Sequence, residues 1–311
     1  MDEKEKNENE KNKKKKGKKN YLVNILILVL AVVFIGSAGY NLRLYLKHRQ
    51  TEKDYNQIAE SAAQAVVTPS DAEKDTEPPY VSPIDFESLK KENPDTIGWI
   101  RIPDTRVDYP IVQREGDNDY YLKRDFHGQP NEAGAIYLDF ESEKDFVGRN
   151  NVLYGHHMKE GSMYSMFRDV ANYKNQEFFK DHQYFSIYTP DREIRLKAVA
   201  CYYGNADKYV SVRRTVFITQ EQFDTWLQAI LSPCSYREEV LYPARNVYCL
   251  VTCSYEVENA RTFLFAVEVD EEGNELGLDE EFEVYIQDLM VQRYKERMGV
   301  EEVETEKQTE K

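Results

Sequence analysis

The longest uninterrupted apolar pattern lies near the start of the chain. From Asn20 to Leu42 no charged residue appears, and the centre reads I-L-I-L-V-L-A-V-V-F-I-G. About 23 uncharged residues make a helix of about 34 Å, enough to cross a bilayer. A cleaved signal with its small-residue site at Gly36-Ser37-Ala38 is the alternative, but the run is long for a signal's apolar region. Further on, short apolar runs rich in β-branched and aromatic residues predict strands over 98–102, 107–112, 135–138, 152–154, 184–189, 193–203, 247–251 and 262–269. Helical spacing is confined to a few segments. Residues 219–231 place Phe223, Trp226, Leu227 and Ile230 on one face behind Thr219 as cap. Residues 278–298 place Phe282, Tyr285, Ile286, Leu289, Met290 and Tyr294 on one stripe, and Gly299 suits the C′ position. Brief helices are expected at 161–169 and 176–180. Another is expected to start with Ser82 as cap, Pro83 at N1 and Asp85 at N3, to bury Phe86 and Leu89, and to stop at Asn93-Pro94. Many short strands with few helices predict a mainly β protein, a closed or nearly closed barrel.

Charge divides the chain further. Its 311 residues carry 41 Lys and Arg against 56 Asp and Glu, a net charge of −15. Such acidity argues against a nucleic-acid partner, which needs a basic face. The exception is 11–19, almost entirely lysine, just before the apolar run. The positive-inside rule then leaves the N-terminus in the cytoplasm and everything after the span outside. The expected organisation is a disordered, lysine-rich cytoplasmic tail over 1–19 and a single-pass transmembrane anchor over 20–44. A helical stalk and a Pro-, Ser- and Thr-rich linker follow over 45–83. The folded domain takes 84–270, and a C-terminal helix with an acidic tail takes 271–311. The folded part, roughly 190 residues, is long enough for one real core.

Candidate chemistry is concentrated in two short stretches. Residues 250–261 read L-V-T-C-S-Y-E-V-E-N-A-R, in which Cys253 closes an apolar strand and Arg261 opens the next. If those strands neighbour one another, a permanent cation sits beside the thiol and favours the thiolate. The same guanidinium can donate to an oxyanion. Residues 151–157 read N-V-L-Y-G-H-H, a strand and a glycine followed by two imidazoles, His156 and His157. Either suits acid/base work by position alone, whereas His48, His127 and His182 lack a comparable setting. No Asp or Asn in these stretches is placed to orient the histidine. Among the four cysteines, Cys249 lies inside the apolar run and belongs to the core. No C-x-x-C pair exists among Cys201, Cys234, Cys249 and Cys253, so neither a metal site nor a disulfide framework is expected, and no cofactor is implied.

The motifs Y-G-H-H-M-x-x-G-S-M from Tyr154 and T-C at Thr252-Cys253 followed by A-R at Ala260-Arg261 resemble those of the class B sortases. N-P-D-T-I-G-W-I-R-I-P from Asn93, Y-P-I-V from Tyr109 and A-G-A-I-Y-L-D from Ala133 extend the resemblance over about residues 85–269, in the family's order. It implies an eight-stranded sortase barrel with N-terminal helices and a helix before strand seven. It also implies a membrane-anchored, extracellular cysteine transpeptidase, a thiol peptidase by mechanism. Such an enzyme cleaves the C-terminal sorting signal of surface proteins after threonine and passes the acyl group to an amine of a peptidoglycan precursor. The family's histidine directly follows the glycine, which selects His156 beside Cys253 and Arg261 as catalytic residues. Tyr154, Asn118 and Leu122 in N-D-Y-Y-L, and Thr252 match positions that line the family's substrate groove. Val251 departs from the serine common at that place. The N-P-D-T string at 93–96 itself looks like a sorting signal, but a turn in the domain's own framework is expected. No sorting signal follows the last helix, so the chain is not expected to be a wall-anchored substrate. Without the resemblance the same residues suit a membrane-tethered binding protein with a structural Cys253, or a peptidase that only hydrolyses.

Overall fold

The computed structural model describes residues 3–63, 80–156, 167–206, 212–253 and 259–298. By its contacts the chain forms two units, Met1–Asn56 and Gln57–Lys311. In the first, helix α1 (Glu3–Ala63) begins, and it takes in the lysine-rich segment for which disorder is expected. Lysine and glutamate are good helix formers, and a helix already nucleated extends at little cost. Large apolar side chains between Val23 and Leu46 on this helix are exposed. Its stretch from Val23 to Ala62 is long and apolar enough to cross a membrane.

The second unit is built on nine strands. They are β1 (Thr96–Arg101), β2 (Asp108–Val112), β3 (Ile136–Leu138), β4 (Asn150–Tyr154), β5 (Tyr184–Tyr188), β6 (Glu193–Asn205), β7 (Tyr236–Arg237), β8 (Val247–Cys253) and β9 (Ala260–Glu268). Hydrogen bonds connect them in the order β5-β1-β2-β3-β4-β8-β9-β6, and β5 pairs again with β6, so eight strands close a barrel. Closure leaves no unpaired edge within that ring. The two-residue β7 is an addition alongside β6. Two neighbours run parallel, β2 with β3 and β4 with β8, and parallel partners require long connections.

Alternation along the strands divides the core. Val247, Cys249 and Val251 of β8 join Phe263, Phe265 and Val267 of β9 under helix α4 (Gln220–Leu231). As the period predicts, α4 buries Phe223, Trp226, Leu227 and Ile230, and Thr219 accepts from the Gln222 amide at its start. This helix precedes β8, the seventh strand of the barrel. Tyr248, Leu250 and Thr252 alternate to the other face and are equally buried.

The short helices differ in detail from expectation. Helix α2 (Phe86–Glu92) starts one turn later than expected, with Asp85 as its cap accepting from the Ser88 amide at 3.0 Å. Ser82 instead accepts from Ile84 in the preceding turn, because the backbone of Asp85 is still non-helical. The N-P-D-T string is a framework turn. Asn93 is buried and donates to the Tyr121 hydroxyl at 2.9 Å and to the Phe126 carbonyl at 2.6 Å. Helix α3 spans Gln176–Asp181, and most of the expected helix at 161–169 lies outside the described residues. Helix α5 (Glu280–Met298) packs on its own domain through Phe282 and Ile286, against Val216, Leu278 and Leu289. Tyr285 is 45% exposed, so the buried stripe is narrower than its spacing predicts.

Candidate active site

Register brings the two halves of the cysteine motif together. In the β8–β9 ladder Cys253 is the direct partner of Arg261, and Thr252 of Thr262. Opposite residues of an antiparallel pair hold their Cα atoms about 5 Å apart, so the guanidinium is rooted beside the thiol-bearing residue. The side chain of Arg261 is half-buried, and Nη1 donates to the Ala260 carbonyl at 3.0 Å.

The histidine arrives from the other side of β8. Strand β4 runs parallel to it with Tyr154 level with Val251, and the Gly155 amide donates to the Val251 carbonyl at 3.2 Å. His156 follows two residues past the end of β4, close enough to Arg261 for that cation to act on its pKa. Gly155 is required here by close approach, since a Cβ would lie 2.5 Å from the Phe167 ring. Phe167 in turn donates its amide to the His156 carbonyl at 3.1 Å. His156 Nε2 lies 2.6 Å from the Leu122 carbonyl oxygen. A carbonyl only accepts, so Nε2 carries the proton and Nδ1 of the neutral ring keeps its lone pair. Gly134, at φ +65°, makes room for this contact, because a Cβ would meet His156 Cδ2 at 2.9 Å and the Tyr121 carbonyl at 2.8 Å. Burial of the imidazole pushes its pKa below the ordinary 6.5; the Leu122 carbonyl opposes this, while the cations Arg261 and Lys123 add to it.

Around these three lie the expected groove residues. Leu122 is joined to His156 as described. Tyr154 stacks on Tyr137 with ring centroids 5.1 Å apart, and its hydroxyl donates to Asp139 at 3.0 Å. Asn118 accepts from the Phe140 amide at 2.9 Å, while its buried Nδ2 has no hydrogen-bond partner among the described residues. Thr252 differs from the rest. It is only 2% exposed, its hydroxyl has no partner among the described residues, and it alternates to the face opposite Val251. A contact with substrate from this position would come from its backbone.

The other candidates stay apart. Cys249 is fully buried, and burial drives its thiol far up from the usual range. Cys201, Cys234 and Cys249 are free thiols. His127 pairs with Glu92 at 3.9 Å, and His182 stacks on Phe178 at 3.9 Å. His157 lies outside the described residues. Among those residues no group of three His, Cys, Asp or Glu side chains is placed to hold a metal. Motif reading missed one element of the site, the fully buried Asp139 with its partner Arg213. The signal was its place at the end of A-G-A-I-Y-L-D, where a carboxylate closes an apolar strand.

Comparison with known proteins agrees with this geometry. No family model matches the chain. It is 31% identical over 238 residues to sortase B of Listeria monocytogenes, covering 76% of this chain and 92% of that protein. To sortase B of Staphylococcus aureus it is 27% identical over 208 residues, 66% of this chain and 77% of that one. The crystal structure of Clostridium perfringens sortase B superposes with a TM-score of 0.55 at 30% identity, over 60% of this chain and all of that one. A Bacillus anthracis sortase B structure gives 0.59 at 26% identity, over 73% of this chain and all of that one. A closed eight-stranded barrel with a helix before its seventh strand is the sortase fold, and the chain belongs to the class B sortases. It is accordingly a cysteine transpeptidase of the sortase type.

Proposed function

We propose that this sortase cleaves the C-terminal sorting signal of surface proteins after a threonine, through a Cys253 thioester, and transfers the new acyl end to an amine of the cell-wall precursor. The observation that supports this reading is the pairing of Cys253 with Arg261 in the β8–β9 ladder, with His156 near enough to feel the Arg261 charge. Nδ1 of His156 takes the thiol proton as sulfur attacks the threonine carbonyl, and then gives it to the departing amide nitrogen. The thioester persists until an amine attacks; its proton goes to the same nitrogen, the C–S bond breaks, and the departing Cys253 sulfur takes that proton back. Arg261 stabilises the oxyanion in both tetrahedral steps, a donor role worth about 10²–10³ in rate. Asn118, with its unpartnered Nδ2, Leu122, the ring of Tyr154 and the backbone of Thr252 form the groove. A Staphylococcus aureus sortase B has been crystallised as a substrate complex, and we take the same class of sorting peptide for this chain. Residues 20–44 anchor the enzyme with residues 1–19 in the cytoplasm, 45–83 form stalk and linker, 84–270 form the catalytic domain outside the cell, and 271–311 follow it.

Cys253→Ala tests the core of this reading. Turnover of a fluorescence-quenched peptide with an N-P-x-T core is expected to vanish, while the circular-dichroism melt stays within about 2 °C because a strand-end side chain carries little packing. Retained turnover would transfer suspicion to another thiol.

A further inference from the structure

Asp139 stands just past the end of β3, and its residue is 0% exposed. A buried carboxylate is costly unless paired and hydrogen-bonded, and its partners come from three places in the chain. Oδ1 accepts from the Glu141 amide at 3.0 Å. Oδ2 accepts from the Tyr154 hydroxyl at 3.0 Å and from Nε of Arg213 at 3.2 Å. Arg213 belongs to the segment between β6 and α4, and its side chain is 57% exposed. The fully buried Asn150 holds the same segment from below, with Nδ2 donating to the Val212 carbonyl at 2.6 Å and the Arg214 carbonyl at 3.0 Å. Next to Asp139, the Phe140 amide fixes Asn118. Two pieces of the proposed groove, from β4 and from the Asn118 loop, therefore converge on one short turn with the segment before α4.

We infer that Asp139 is a positioning residue, whose carboxylate fixes Tyr154 and Arg213 together as one wall of the substrate groove. The inference rests on the groove assignment made under Proposed function. Asp139 touches no reacting atom; it sets where the Tyr154 ring stands and holds the 212–219 segment against it. Removing the cation leaves a buried carboxylate short of one charged hydrogen bond, an interaction worth about tenfold or more in an equilibrium. Because the wall acts on substrate before chemistry, the loss belongs in KM.

The test uses peptide kinetics on the full chain with the N-P-x-T peptide, and Asn118→Ala as the reference for the groove. Arg213→Ala, at an exposed side chain that tolerates change, is expected to raise KM about tenfold with kcat within about twofold. Arg213→Lys restores most of it. Asp139→Asn matches Arg213→Ala, and the double variant is no worse than either single one, as a shared interaction requires. Hydrogen exchange across 212–217 quickens in both. An unchanged KM in Arg213→Ala, a fall in kcat alone, or additive losses in the double variant would overturn the inference. Should Asp139→Asn fail to fold, the two Arg213 variants decide. If Asn118→Ala raises KM and Arg213→Ala does not, the positioning role fails and the groove stands; if neither moves KM, the groove assignment itself is wrong.

Discussion

At His156 a single carbonyl decides which nitrogen can do chemistry. Leu122, 34 residues earlier in the chain, accepts from Nε2 and leaves the lone pair on Nδ1. Burial, helped by Arg261 and Lys123, keeps the ring neutral to lower pH than a free imidazole. The sign of the resulting pH dependence follows. Just below 6.5 the unfolded chain binds a proton at this position that the folded protein refuses, so stability rises with pH there. The stability present above 6.5 is lost as pH falls through the folded value. A pH series of thermal melts from about 7.5 to about 5 is expected to fall more steeply for the native protein than for His156→Gln. Parallel series would show that the imidazole is not held in its neutral form.

Among the elements, β4 and β8 connect the site to the far end of the domain. Arg149, just before β4, is buried with no carboxylate at hydrogen-bond distance among the described residues, and it donates to the Ala244 and Arg245 carbonyls. Its guanidinium lies between two rings, 5.2 Å from Phe223 of α4 and 5.6 Å from Phe282 of α5. Desolvation lowers its pKa to about 10, which still leaves it charged at neutral pH. Arg245 lies over the other contact of Phe282 at 4.4 Å and pairs with Asp279 at 3.1 Å. Asp279 also accepts from the Phe282 amide at 2.7 Å and so starts α5. Besides the buried Ile286, the helix is thus docked by one aromatic side chain and two arginines at the end of β4 remote from His156. Phe282→Ala is expected to cost about 3 kcal/mol in urea unfolding. Its peptide turnover should stay within about twofold, and a larger kinetic loss would mean that α5 communicates with the site.

For the molecule as a whole, the charge pattern orients the proposed anchor. Residues 11–19 carry the lysines, the uncharged run follows at once, and the remainder of the chain makes the total acidic, at −15. Protease added to intact cells is expected to remove the domain beyond residue 45 while an epitope on the lysine-rich head stays protected. Digestion of the head from outside would reverse the orientation, and a mature N-terminus near Tyr40 would show that the apolar run is a cleaved signal.

Elements were legible because their signals are local. Short β-branched and aromatic runs marked the strands, spacing placed Phe223, Trp226, Leu227 and Ile230 on one face of α4, and the apolar setting of Cys249 marked it as core. The order of motifs was enough to identify the family, since His156, Cys253 and Arg261 each stand at an end of a readable strand. What joins them is not local. Parallel pairing of β4 with β8 sets the strand end that leads to His156 beside the strand end that leads to Cys253, and parallel partners leave no turn between them for a sequence to display. Arg213 reaches Asp139 across 74 residues, and an arginine in a polar loop looks the same whether it is solvated or paired. The face of Thr252, the cap at Asp85 and the narrow docking stripe of α5 were likewise set by packing. Local periodicity thus determined which residues form strands and helices, while closure of the barrel decided which of them meet, because contact between distant segments depends on register that no short stretch of chain contains.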